Sequence, residues 1–164
     1  MRSLNLTDEY MKTKGELEKL LRVDTIEIPN RNLIRSLEDC MQKIYEYDEA
    51  LLRHSLAVSL LGGFIGKNLE MTTDEVDELY IAGALHDIGK IFIPIKIMGK
   101  QGQLDEDERK IIEAHPAYSI WYLTTGNTEE KPQYYSHKIL DMIRYHHEEV
   151  SGHGYPYGLS LIHI

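Results

Sequence analysis

Apolar side chains return at helical spacing along almost the whole chain, and no segment of strand length alternates apolar with polar residues. That pattern admits helices stacked on helices and leaves nothing from which to build a sheet, so the expected fold class is all-α. A first helix is read from Thr7 to Arg22, with Leu17, Leu20 and Leu21 on its apolar stripe. The amphipathic stripe is also a candidate homodimer surface. Val23 to Pro29 reads as a linker, because proline disfavours helix at the residue before it. A second helix spans about Asn30 to Tyr47 and a third carries Leu51 to about Leu69, where Gly62 and Gly63 imply close helix packing. Thr72 with Glu75 forms a capping-box pattern that opens a fourth helix running into His86 and Asp87, with Gly89 as its end.

Asp105 with Glu108 repeats the capping-box pattern and leads to His115, where Pro116 kinks that helix or begins the next. Trp121, Tyr122 and Leu123 read as core, Thr124 to Lys131 as a polar loop, and Tyr134 and Tyr135 as packing residues. After Pro132 a last helix carries Ile139 to Ile143 and ends in His146, His147 and Glu148, followed by a Gly-rich segment from Ser151 to Gly158.

Charge narrows the function classes. Among 164 residues, 27 Asp and Glu against 18 Lys and Arg give a net charge of −9, which disfavours binding to a nucleic acid polymer. Cys40 is the single cysteine, so neither an internal disulfide nor a Cys-based zinc site is available. No run approaches the roughly 18 apolar residues of a membrane span. The chain reads as soluble and cytoplasmic.

The eight histidines carry the chemistry. His86-Asp87 and His146-His147 are adjacent pairs, and neighbours on a helix point about 100° apart, so one pair can address two cations. A carboxylate adds two oxygens that can bridge them. Such N and O ligands suit Fe, Mn, Zn or Co better than Mg. The resulting pocket is locally positive inside an acidic protein, a setting for phosphate ester hydrolysis by two metals. Lys90, three residues after Asp87, is placed to stabilise phosphate or leaving-group charge. His137 and His153 read as a surface residue and a loop residue.

With these residues in view, the chain resembles the HD superfamily of metal-dependent phosphohydrolases, and more narrowly the HD-GYP family. The resemblance rests on His86 to Lys90, Ile93-Pro94, Lys100 to Leu104, His115-Pro116, His146 to Glu148 and Gly152 to Leu159. It implies an HD-domain helical bundle over residues 48–164 preceded by an N-terminal helical linker or cap at 1–47. It further implies hydrolysis of cyclic di-GMP to pGpG, GMP or both by a metal-activated hydroxide. His54, His86, Asp87, His115, His146 and His147 correspond to metal ligands, Asp87 and Lys90 to catalytic residues, and Gly152, Gly154, Tyr155 and Pro156 to a loop near the substrate. Two divalent ions are expected, Fe or Mn foremost, with Zn, Co and Ni as alternatives. An upstream sensor or partner signalling protein is also implied.

Four departures from the family pattern stand out. Ala50 occupies a position where some members carry a third-metal Glu, which favours two metals; Ser151 replaces an Asp before the loop; and Ser119 replaces a Gly. The family also continues past the loop into helices that supply a further ligand Asp, so the chain is expected to be truncated and short of full activity. Leu159 to Ile164 can be encoded by a sequence that reads like a transposase adaptor used in DNA library preparation, so native coding is expected to end at or near Gly158. Two other functions remain open at this point: an HD phosphohydrolase for another nucleotide, and a non-catalytic signalling or binding module.

Overall fold

The computed structural model describes residues 4–126 and 135–160; the expectations for 127–134 and for the last four residues lie outside the described residues. Among the described residues the fold is all-α, and no helix is long and apolar enough to cross a membrane. The chain forms two compact units, Met1–Leu85 and His86–Ile164.

The first unit holds α1 (Leu6–Leu21), α2 (Arg31–Tyr47), α3 (Glu49–Asn68) and α4 (Thr73–Leu85). Side chains cap the first three: Asn5, Asn30 and Asp48 each accept a backbone N–H from the first turn of their helix, which satisfies donors that have no intrahelical partner. The Thr72 and Glu75 capping box forms as expected, with the Thr72 N–H donating to the Glu75 carboxylate at 3.1 Å. The stripe on α1 differs from the expected one. Leu6, Tyr10, Thr13 and Leu17 are buried, whereas Leu20 and Leu21 are 76% and 42% exposed. Both leucines share the stripe's side of the helix but fall in its last turn, which neighbouring helices do not cover.

Helix α3 is central, burying Leu52, Leu56 and Leu60 together with Ser55, Ser59 and Gly63. The close packing expected at Gly62 and Gly63 is present, since a Cβ on Gly63 would lie 2.2 Å from the Tyr80 ring. Ser59 closes a buried hydrogen-bond chain: its hydroxyl donates to the Tyr80 carbonyl at 2.8 Å, so the Tyr10 hydroxyl, 3.0 Å away, donates to Ser59. Val23 to Pro29 is non-helical, as read, and is held by the Tyr80 hydroxyl donating to the Glu27 carbonyl and by buried Ile26, whose N–H donates to Glu18.

In the second unit a 3₁₀ turn at Ile88–Phe92 precedes α5 (Ile95–Met98), α6 (Glu106–Glu113), α7 (His115–Trp121) and α8 (His137–Tyr145). Gly89 does not terminate α4, which already ends at Leu85; it lies buried inside the 3₁₀ turn. The Asp105 and Glu108 capping box is complete, and Pro116 starts α7 rather than kinking α6. Trp121 is not core: it is 53% exposed, while Tyr122 and Leu123 are buried. The buried residues of this stretch recur at 115, 116, 119, 122 and 123, a helical stripe that puts position 121 on the opposite face. The Phe92 ring meets the Trp121 ring edge-on at 5.4 Å. The loop reading does not hold for Thr124 to Gly126, because Tyr122–Gly126 continues as a π-helical turn. Thr124 and Thr125 support it by donating to the carbonyls of Ile120 and Trp121, both at 2.7 Å.

Candidate metal centre

Four donor side chains of the second unit, Asp87, His115, His146 and His147, bring ligand atoms within 4.8 Å of one another. They come from three places in the chain. Asp87 sits in the turn before the 3₁₀ segment, His115 begins α7, and His146 and His147 follow the end of α8. Both adjacent pairs therefore lie just beyond helix ends rather than on helix faces. His146 keeps near-helical backbone angles (φ −64, ψ −12), and the turn is closed by the Glu148 N–H donating to the Tyr145 carbonyl at 2.8 Å.

Backbone carbonyls decide which ring nitrogens are available. Nδ1 of His115 is 2.7 Å from the Ile112 carbonyl, and Nδ1 of His146 is 2.8 Å from the Ile143 carbonyl. A carbonyl only accepts, so each Nδ1 carries a proton, and in the neutral ring Nε2 presents a lone pair. Those two Nε2 atoms are 3.2 Å apart and lie 3.1 Å and 3.7 Å from Asp87 Oδ1. Three acceptors turned on one another repel unless a cation lies among them. Two ligand atoms held about 2.1 Å from one metal at a right angle are about 3 Å apart; the 3.1 Å and 3.2 Å spacings match, and the 3.7 Å one corresponds to a wider angle. Ring N–H groups held by carbonyls are also the usual outer support of metal-bound histidine. The donor set fits a divalent transition metal.

Electrostatics point the same way. Burial by itself raises the Asp87 carboxyl; protons on the His115, His146 and His86 nitrogens that face it outweigh burial and hold the group ionised, far below the usual carboxylate range, and a cation among the neutral rings fills the same part. Burial lowers His147 to about 4, and any positive charge on His146 or His115 pushes in the same direction, so its ring is neutral and ready to donate a lone pair. His86 places Nε2 3.1 Å from Asp87 Oδ2, and the Lys90 ammonium donates to that same oxygen at 2.7 Å. Lys90 and His86 thus hold one carboxylate oxygen while His115 and His146 face the other. His54 lies exposed on α3 of the first unit.

The loop residues support His147. The Tyr155 ring stacks on it at 4.5 Å with 21° between planes, and the Tyr155 N–H donates to the His147 carbonyl at 3.1 Å. Gly154 permits this approach, since a Cβ there would lie 2.5 Å from that carbonyl and 2.3 Å from the Glu149 nitrogen. Gly152 turns the chain with φ +78, and Pro156 follows a cis peptide and lines an open cavity with Trp121, Tyr145 and Tyr157.

Sequence reasoning gave no role to Glu148, yet its carboxylate accepts the N–H groups of Tyr157 and Leu159, both at 2.7 Å, and so closes the loop. Its adjacency to the histidine pair was the available signal. Ser151 accepts the His153 N–H at 3.3 Å and donates to Glu149 at 2.9 Å. His137 and His153 are exposed, in line with the surface and loop readings.

A family model described as HD domain matches residues 37–164, and the chain belongs to that family. Among curated proteins it is similar to the cyclic di-GMP phosphodiesterase PA4108 of Pseudomonas aeruginosa, 34% identical over 113 residues that make up 69% of this chain and 26% of that protein. It is 35% identical over 102 residues to the cyclic di-GMP phosphodiesterase response regulator RpfG of Xanthomonas campestris, covering 62% of this chain and 26% of the relative. It is also 32% identical over 108 residues to the 3′3′-cGAMP-specific phosphodiesterase 1 of Vibrio cholerae, covering 66% and 23%. The chain spans about a quarter of the length of these relatives.

Proposed function

We propose that this chain carries the metal centre of a cytoplasmic phosphodiesterase that hydrolyses a cyclic dinucleotide, cyclic di-GMP foremost, to pGpG, GMP or both. The observation that carries the reading is the convergence of the Nε2 lone pairs of His115 and His146 on the Asp87 carboxylate, with His147 beside them. The names of the similar proteins support the substrate class and leave 3′3′-cGAMP as the second candidate. In this reading His86, Asp87, His115, His146 and His147 hold two divalent ions, Fe or Mn, and His54 joins them, as the family resemblance implies.

The metals, when bound, supply a low-pKa water and positive charge against a phosphoryl oxygen. The chain's own residues prepare that chemistry. The carbonyls of Ile112 and Ile143 fix the His115 and His146 tautomers, and Lys90 holds Asp87 in place while adding a cation next to the phosphate position. The Gly152 to Pro156 loop walls the site through Tyr155 on His147. The catalytic domain is taken to begin near residue 48, with an upstream sensor and a homodimer as further parts of the proposal.

The test is metal content by mass spectrometry on the full-length protein loaded with Mn or Fe, followed by chromatography of products from cyclic di-GMP and 3′3′-cGAMP. Loaded protein that releases pGpG or GMP, with metal and turnover both lost in Asp87→Ala, supports the proposal. Full metal loading without turnover of either substrate refutes it.

A further inference from the structure

We propose that Ser119 is a positioning residue of the metal centre, fixing the turn that carries His86 and Asp87 against the helix that begins with His115. The inference rests on the metal-centre reading above and concerns a position where this chain departs from its family's pattern.

Ser119 is fully buried on α7, one helical turn after His115. Its hydroxyl accepts the Gly89 N–H at 2.8 Å and donates to the His86 carbonyl at 3.1 Å. These two backbone groups bracket Asp87, so one side chain grips the ligand-bearing turn on both sides. The fit between the turn and α7 is close: a Cβ on Gly89 would lie 2.1 Å from the His115 carbonyl and 2.5 Å from the Ser119 nitrogen. With no side chain at 89 to act as a spacer, the hydroxyl sets the separation. The 3.1 Å approach of His115 Nε2 to Asp87 Oδ1 depends on that separation. Sliding of the turn along α7 moves the Asp87 oxygens away from the histidines without unfolding either element. Ser119 touches neither ligand atom, so its effect passes through the backbone, as with other groups that orient metal ligands from outside.

The experiment titrates Mn into metal-free chain by calorimetry, comparing the unaltered protein with Ser119→Ala and Ser119→Gly. Visible absorption of the Co-substituted protein reports ligand geometry, and urea unfolding of the metal-free forms reports the fold. The expected result is a 10- to 100-fold weaker Mn affinity and an altered Co spectrum in both variants, while the metal-free far-UV spectrum is unchanged. Variants that bind Mn as tightly as the unaltered chain, with the same Co spectrum, overturn the positioning role and leave the metal centre standing. An unaltered chain that takes up no Mn or Co overturns the metal-centre reading, and this inference with it.

Discussion

The same substitution at two glycines is expected to move stability in opposite directions, because the surroundings differ. At Gly89 an added methyl would lie 2.1 Å from the His115 carbonyl oxygen, 2.5 Å from the Ser119 nitrogen and 2.8 Å from its hydroxyl. Two of these three are backbone atoms of α7 and cannot swing aside. Overpacking of this kind costs about 1–3 kcal/mol. Retreat of the turn also sacrifices the Gly89 N–H bond to Ser119, worth about 1 kcal/mol, so Gly89→Ala should cost about 2–4 kcal/mol. At Gly15, inside α1, a Cβ meets nothing within 4 Å. Alanine there should stabilise by about 0.5–1 kcal/mol through helix propensity alone. Urea unfolding followed by far-UV dichroism and by fluorescence of Trp121, the single tryptophan, reads both effects. The Gly89 variant should also bind Mn more weakly, since His115 and Asp87 are pushed apart. A Gly89→Ala protein within about 0.5 kcal/mol of the parent, with unchanged Mn affinity, would refute the close-approach argument.

Two further outcomes are expected. Burial raises the Tyr80 hydroxyl from 10.0 to about 12, with Glu27 and Asp77 adding to the shift, so the folded state holds this proton more tightly than the unfolded chain. Its contribution to stability is therefore intact below pH 10 and is lost as pH climbs through 12; Tyr80→Phe should flatten the fall of the urea midpoint between pH 9 and 12, and an identical slope would contradict the assignment. Glu148→Gln leaves a single oxygen for the N–H groups of Tyr157 and Leu159. Losing one charge-assisted bond, about 1.5 kcal/mol, should speed proteolytic cleavage in residues 151–158 about tenfold with the helices unchanged, and an unaltered cleavage rate would show the loop is held by other means.

The helices were legible because their signals are local. The capping boxes opened by Thr72 and Asp105 and the 3.6-residue stripes depend on residues three or four apart. The candidate ligands were legible because imidazoles and carboxylates can be found by type, and Asp87, His115, His146 and His147 meet in one cluster. What sequence could not supply were relations between distant backbone segments. Trp121 looks like core by composition, and only the position of the α7 stripe puts it outside. The Ser119 hydroxyl could not be assigned to a turn 30 residues earlier. Glu148 was visible beside the histidines, but its partners, Tyr157 and Leu159, lie nine and eleven residues on and reach it only after the loop has turned.

The carbonyls that accept from His115 and His146 belong to the final turns of α6 and α8, each three residues before its histidine. Helix termini are where fraying begins, and a frayed turn swings its carbonyl away from the ring. A released Nδ1–H then lets the imidazole exchange tautomers and rotate. Opening the last turn of either helix and unlocking a ligand are thus a single event. Ion capture must in turn hold those two helix ends closed, so loading the site tightens local segments whose own chain ends lie far apart in sequence.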